Sequence, residues 1–327
     1  MTIHSRAVLR LVGIFILTGC STAPVLKNEA EISADDSVVF GSAEVFVDGK
    51  KEKWGMKWDR YSNFYLIVLA ENSSEAHTHK LANDGNFYWS LPPGEYTLLA
   101  YRWQDGNESR MGEFRAEFTV GDSGEAKYLG AIELRGDERI LIPEIIDKYD
   151  LAKPLFMQKF GDREKEPNKA LMTLPEPPGD FSLIAPVCHP DWEIACTDNY
   201  RGVTPLQPTV ANSGFPVAES STPTFRWEPS TSEDTHYDFI LYEAATYSLD
   251  GITPQYAKGH LVAYDEDLKS NSWTSSTPLK PDTKYYWSVR LRKGALVSSW
   301  STLSYRYFLV LAAGWGYGQW FAFETPK

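Results

Sequence analysis

The chain has 327 residues, with 44 acidic against 32 basic side chains and a formal charge of -12. That balance excludes a basic nucleic-acid-binding surface, while the length allows more than one buried core, so two domains are expected. Aromatic residues make up 14%, including 11 tryptophans and 18 tyrosines, a composition that suits β-sheets better than helix bundles.

At the N-terminus Arg6 and Arg10 accompany a short apolar run from Ala7 to Leu17, followed by Leu17-Thr18-Gly19-Cys20. The run is too short to span a bilayer as a helix, and its basic flank and small-residue exit are those of a secretory signal. The last four residues resemble the lipobox of bacterial lipoproteins. The resemblance implies cleavage before Cys20 and acylation of Cys20, with residues 1–19 removed as a signal peptide. Ser21 in the next position is, by the same resemblance, compatible with sorting to the outer membrane of a Gram-negative envelope. Removing Arg6 and Arg10 lowers the basic count from 32 to 30 and the charge from -12 to -14. Such a surface gains nothing from anionic lipid, so the acyl chains must hold the membrane. Residues 20–36 are small and polar and read as a tether.

From 37 to 135 short strands alternate with turn signals. Val38–Val47 ends at Asp48-Gly49. Asn63–Ala70 is aromatic and β-branched, and Asn86–Leu91 leaves through Pro92-Pro93-Gly94. Tyr96–Trp103, Glu113–Val120 and Tyr128–Leu134 follow. Asp84-Gly85-Asn86-Phe87, Leu91-Pro92-Pro93-Gly94-Glu95-Tyr96 and Leu129-Gly130-Ala131-Ile132-Glu133-Leu134 together resemble the carboxypeptidase-regulatory-like, transthyretin-like β-sandwich. That module implies a fold and little about activity.

The stretch 136–203 reads as a linker. Arg139–Phe160 has room for one or two short helices, with Ile145, Ile146, Tyr149 and Leu151 near helical spacing and Pro154 interrupting them. Gly161–Pro178 is charged and then proline-rich. With Cys20 acylated, Cys188 and Cys196 remain as an even pair. A disulfide between them closes a small loop worth about 2.5 kcal/mol by chain-entropy arithmetic. The rival is a metal site that includes His189, for which no fourth ligand is evident.

Strand rhythm returns over 204–327. Thr222–Trp227 and Tyr237–Glu243 read as strands. Leu279-Lys280-Pro281-Asp282-Thr283-Lys284-Tyr285 resembles the fibronectin type III signature. It implies a tyrosine corner at Tyr285, a core Trp227 and a closing strand at Trp320–Thr325. Leu303–Gly318 is an excess over the ordinary domain, and within it Tyr305–Ala313 reads as a buried strand. The expected fold class is all-β: two immunoglobulin-like or transthyretin-like β-sandwiches joined by a partly irregular, proline-rich middle segment.

Two histidines, His77 and His79, share strand spacing with no third ligand in view, and read as part of an exposed strand. Gly121-Asp122-Ser123-Gly124 copies the nucleophile tetrad of chymotrypsin-like proteases without the histidine motif that chemistry needs, and reads as a turn. No phosphate-binding glycine loop or dinucleotide fingerprint is present. Two aromatic groups are candidates for binding: Trp54, Trp58 and Tyr61, and the glycine-spaced Trp315, Tyr317 and Trp320, the latter read as a loop presenting flat rings. The sequence therefore points to a lipid-anchored, non-enzymatic scaffold or adaptor without cofactor or metal, bound to the outer membrane through its lipid and to an envelope protein or glycan. A carbohydrate-binding surface lipoprotein and an envelope hydrolase with an acidic site stand as alternatives.

Overall fold

The computed structural model describes residues 31–56, 61–105, 108–136, 141–161, 166–174, 200–211, 214–230, 234–294, 296–309 and 312–327. Cys20, Trp58, Cys188 and Cys196, and with them the anchor and the disulfide, lie outside the described residues.

In the first half the strands are β1 (Ser37–Val47), β2 (Lys50–Lys51), β3 (Gly55–Met56), β4 (Tyr61–Ala70), β5 (Ala76–Lys80), β6 (Asn86–Leu91), β7 (Gly94–Asp105), β8 (Glu108–Val120), β9 (Ala126–Gly136) and β10 (Leu141–Ile146). Helix α1 (Tyr149–Phe160) and the short strand β11 (Asn168–Lys169) complete it. One sheet runs β10-β9-β1-β2, with β6 also on β1 and β11 on β9; the other runs β3-β4-β7-β8, with β5 also on β4. β1 lies parallel to β9 and antiparallel to β6.

Alternation along each strand decides which side chain faces the core. Val39, Ala43 and Val45 of β1 meet Phe64, Leu66 and Val68 of β4 and Leu98 of β7 in the space between the sheets. The opposite face of β1 would be wet in a two-layer sandwich. Here Val38 and Phe40 are buried under α1 instead, against Phe156, Phe160, Tyr88 and Tyr128. Phe40 stacks on Phe156 at 4.3 Å. The positions of Phe156 and Phe160, four apart, put both rings on one side of the helix, and the opposite side leaves Leu151 71% exposed.

This arrangement corrects the linker reading over residues 141–172. Residues 141–146, including Ile145 and Ile146, form a sheet strand rather than a helix, because their carbonyl and amide groups complete the edge of β9. β11 adds to the same strand, and Met172 is buried in the first core. Lys148, just before α1, ties the helix to the sheet through Glu133 at 2.6 Å and Glu44 at 2.8 Å. Burial alone would raise both carboxyls, but the bonds from Lys148, with Arg135 beside Glu133 and Lys51 beside Glu44, outweigh it and hold them below the ordinary range.

The second half has β12 (Tyr200–Arg201), β13 (Pro205–Gln207), β14 (Thr224–Trp227), β15 (His236–Tyr247), β16 (Gln255–Leu268), β17 (Ser272–Thr274), β18 (Lys284–Lys293), β19 (Leu296–Val297), β20 (Thr302–Leu309), β21 (Ala312–Gln319) and β22 (Phe321–Glu324). β13-β14-β17 form one sheet, and β16-β15-β18 with β22 on β18 form the other. This is the strand order of a fibronectin type III-like sandwich. Trp227 is fully buried at its centre with Phe225, Phe239 and Trp287. Tyr285 accepts a hydrogen bond from the Lys280 amide at 3.0 Å, and burial pushes its hydroxyl up to about 12. A second tyrosine corner closes the first sandwich, where the Tyr96 hydroxyl donates to the Pro92 carbonyl at 2.9 Å. The excess segment is a hairpin, β20–β21, paired to β12. Tyr305–Ala313 is therefore not one buried strand: the chain turns back between Leu309 and Ala312.

The two sandwiches are joined face to face. Ile67 and Leu69 of β4 and Leu99 and Ala100 of β7 turn away from the first core and pack on Ala245 and Tyr247 of β15 and Ala257 of β16. Around this apolar patch Lys258 pairs with Glu113 at 2.5 Å, Arg115 donates to the Gly259 carbonyl at 2.7 Å, and Arg102 donates to Gln255 at 2.8 Å. Partly exposed pairs of this kind contribute about 0.2–1 kcal/mol each, and a fully buried Leu or Ile about 1.5–3 kcal/mol, so the apolar patch dominates the joint.

Two outcomes are expected from this packing. A fragment 31–174 should melt well above a fragment 31–135, which lacks β10, α1, β11 and Met172; equal melting temperatures would show that the sheet does not need them. Because Glu133 titrates below its unfolded value, its contribution is present above about pH 4.5 and is lost as the pH falls through the depressed folded value. Glu133→Gln should therefore flatten the acid limb of a stability–pH curve below about pH 4.5.

Candidate functional site

The hairpin β20–β21 is the feature that the sandwich pattern does not require, and its root is built from the core upward. Before it, Ser298 and Ser301 are buried beside β18. Ser298 accepts from the Leu291 amide at 3.0 Å, the Ser288 hydroxyl donates to the Ser301 carbonyl at 2.8 Å, and the Ser301 hydroxyl accepts from the Val203 amide at 2.9 Å. Leu303, the second residue of β20, is in the second core. After the hairpin, Trp320 leads into Phe321, which is also in that core.

Outside the sheet the root carries alternating rings and cations. Trp300 and Trp320 lie 5.7 Å apart. Lys258 sits 3.9 Å from the centre of Trp320, and Arg290 lies 4.7 Å from that of Trp300. Tyr242 touches Trp320 at 5.8 Å and holds Arg115 of the first sandwich over its face at 5.3 Å. A cation over an aromatic face is attracted by the ring quadrupole, so this series links the hairpin root to the joint between the sandwiches.

Arg290 is itself held from below. It is 1% exposed and donates to the fully buried Asp238 at 2.7 Å, its cross-strand neighbour. Arg292 binds the same carboxylate through two nitrogens at 2.7 and 2.9 Å, and the Asp267 amide donates to it at 3.1 Å. The hydrogen bond to Asp238 raises the Arg292 guanidinium further above its ordinary range. The sequence carries a faint sign of this pair: Asp238 stands between Tyr237 and Phe239, and Arg290 between Val289 and Leu291, inside the apolar stretches of β15 and β18.

The candidate binding aromatics divide. Trp54 is 8% exposed, stacks on Phe64 at 4.9 Å and donates to the Ala82 carbonyl at 2.7 Å. It fills the first core and presents no ring, which overturns its candidacy. Tyr61 opens β4 beside Met56, and Trp58 lies outside the described residues. Trp320 is half-buried in the root, clamped between Lys258 and Trp300. Trp315 and Tyr317 are not in a loop. They belong to β21, where they pair with Arg306 and Ser304 of β20.

Other sequence features take structural places. His79 is buried and stacks on Trp89 at 4.5 Å, while His77 is exposed. Among the described residues no group of three His, Cys, Asp or Glu side chains converges. Gly121-Asp122-Ser123-Gly124 joins β8 to β9, with Gly124 at φ 81° and the Ser123 hydroxyl donating to the Asp35 carbonyl at 2.8 Å.

The buried Asp238 makes a direct prediction. Asp238→Ala leaves Arg290 charged and 1% exposed, and breaking a buried pair in this way typically costs about 3–5 kcal/mol. Urea unfolding should show a loss of that order. A loss under about 1 kcal/mol would mean that Arg290 reaches water on its own.

No family model and no curated protein matches the chain. Among solved structures it is similar to the FN1-FN3 domains of chicken CNTN1, at 10% identity over 88% of this chain and 69% of that one, with a TM-score of 0.19. A two-domain fibronectin type III segment of chicken tenascin is 11% identical over 83% of this chain and 89% of that one, with a TM-score of 0.18. A DUF3823 family protein from Bacteroides ovatus is 10% identical over 88% of this chain and 98% of that one, with a TM-score of 0.16. Superpositions this loose carry no argument, and the sandwich assignment rests on the strand order and the tyrosine corner.

Proposed function

We propose that the protein is a lipid-anchored scaffold or adaptor of the outer membrane, with no catalytic role of its own. In this reading Cys20 carries the lipid, the first sandwich is an accessory module of the carboxypeptidase-regulatory-like kind, Cys188 and Cys196 form a disulfide, and the β20–β21 hairpin makes the contact with another envelope component.

The observation that carries the reading is the fixed body behind the hairpin. The apolar joint makes the two sandwiches one unit, and the root buries Ser298, Ser301 and Leu303. An element held this firmly, yet outside the sandwich pattern, is suited to presenting a surface. The lipobox-like Leu17-Thr18-Gly19-Cys20 supports the membrane attachment. The burial of Trp54 takes away one of the six rings that a carbohydrate-binding reading used.

The test is made on the protein in its envelope. Intact mass should show cleavage before Cys20 with acyl groups added, and Cys20→Ser should release the chain from membranes. Deleting residues 305–317 should leave the melting temperature nearly unchanged and strip whatever envelope component co-purifies. An unmodified, membrane-free mature chain from the unaltered gene overturns the reading.

A further inference from the structure

We infer that the outer face of α1 rests against a lipid bilayer, so that the first sandwich lies next to the membrane and the second stands away from it. This deepens the lipid-anchored reading by orienting the body, and rests on that reading for the anchor at Cys20. Helix α1 is apolar on two sides. Phe156 and Phe160 face the sheet and are buried. On the opposite side Leu151 is 71% exposed and Leu155 47%, and Pro154 beside them is exposed as well. Positions 151, 154 and 155 share one helix face, and a helix that is apolar on two sides has two surfaces to cover. The lysines near this stripe are engaged: Lys153 pairs with Glu166, and Lys159 lies over the Tyr88 ring at 4.3 Å. The stripe therefore offers apolar contact rather than charge.

Two observations point to lipid as its cover. The first is where the chain enters the body. Ile32 packs into the cluster that α1 closes, and the Ser33 amide donates to Ser90 of β6 at 3.3 Å. Ser90 is two positions from Tyr88, which meets Phe160 of the helix at 5.1 Å. Residues 21–32 reach at most about 43 Å from Cys20, at roughly 3.6 Å each. The second is the order of the layers. α1 covers the face of β1 and β9 that turns away from the first core, and β15 and β16 cover the outward face of β4 and β7. The order is helix, the two sheets of the first sandwich, then the two sheets of the second. Packed layers lie about 10 Å apart, so the last sheet is roughly 40 Å from the helix. An acyl chain at Cys20 thus holds the molecule from the α1 side. A second copy fits this stripe poorly, because a stable interface takes about 20–30 residues a side. A bilayer suits it, since apolar side chains at a helix surface settle into the interface and a tethered contact needs little affinity of its own.

The test uses the acylated full mature chain in phosphatidylcholine vesicles that carry a diazirine-bearing phospholipid. After irradiation, peptide mass spectrometry should find lipid cross-links on α1 and none at Ile252, an apolar residue of the second sandwich that is 86% exposed. Leu151→Asp combined with Leu155→Asp should lower the α1 cross-links roughly tenfold, as carboxylates set against an apolar layer do. Both positions are exposed, so acylation and melting temperature should stay as they are. The cross-link map of the unsubstituted chain decides by itself should the double variant fail to fold. Cross-links at Ile252 equal to those on α1, or α1 cross-links undiminished by the two aspartates, would overturn the inference and leave the anchor standing. An unacylated native chain would overturn the anchored reading and this inference with it.

Discussion

The constraint on which the rest depends is that β4 and β7 are apolar on both faces. Phe64, Leu66, Val68 and Leu98 face the first core, and Ile67, Leu69, Leu99 and Ala100 face away from it. A sheet in a two-layer sandwich keeps one face wet, so these strands need a third layer. β15 and β16 supply it, and the second sandwich is thereby docked rather than merely tethered. The isolated pairing of Glu75 with Thr246 and the bond from the Thr246 amide to the Ser74 carbonyl at 2.9 Å fix the register of that docking. His260 adds a contact that reads the same loop, with Nε2 2.7 Å from the Ser73 carbonyl and Nδ1 3.4 Å from Glu71.

The same constraint accounts for α1. β1 is also buried on both faces, and Val38 and Phe40 need a cover as much as Val39 and Val45 do. The helix arrives through β10, whose pairing with β9 carries the chain to the correct edge. Pro154 removes one backbone donor inside the helix. The aromatic contacts of Phe156 and Phe160 with Phe40 and Tyr88 hold the helix in place regardless. Tertiary burial here outweighs local propensity.

Local features are legible in the sequence, and non-local ones are not. Pro92-Pro93-Gly94 before Tyr96 and Leu279–Tyr285 both announce tyrosine corners, because a corner closes within four or five residues. Alternation places most strands of both sandwiches. The parallel partner of β1 is some ninety residues away, and nothing near Ser37 or Ala126 encodes that meeting. Ile145 and Ile146 have spacings that fit helix or strand, and only the free edge of β9 decides between them. Trp54 is a candidate for exposure by sequence because a Gly follows it. Its ring instead lies over Gly85, where an added Cβ would come 2.4 Å from the Ala43 carbonyl and 3.3 Å from Trp54. The glycine that matters stands thirty-one positions on, and sequence neighbours cannot reveal it.

The root of the hairpin shows how an added element is tied to the sandwich it leaves. It obeys every folding rule that the sandwich imposes, with buried hydroxyls satisfied and an Asp238–Arg290–Arg292 cluster supporting the aromatic stack. The support also constrains what the far end does. Lys258 and Arg290 fix Trp320 and Trp300 against β16 and β18, so movement of the hairpin as a lever would cost these cation–ring contacts together with the buried Ser301 bonds. A hairpin held rigidly at its root follows more directly from this geometry than a flap that closes over a ligand.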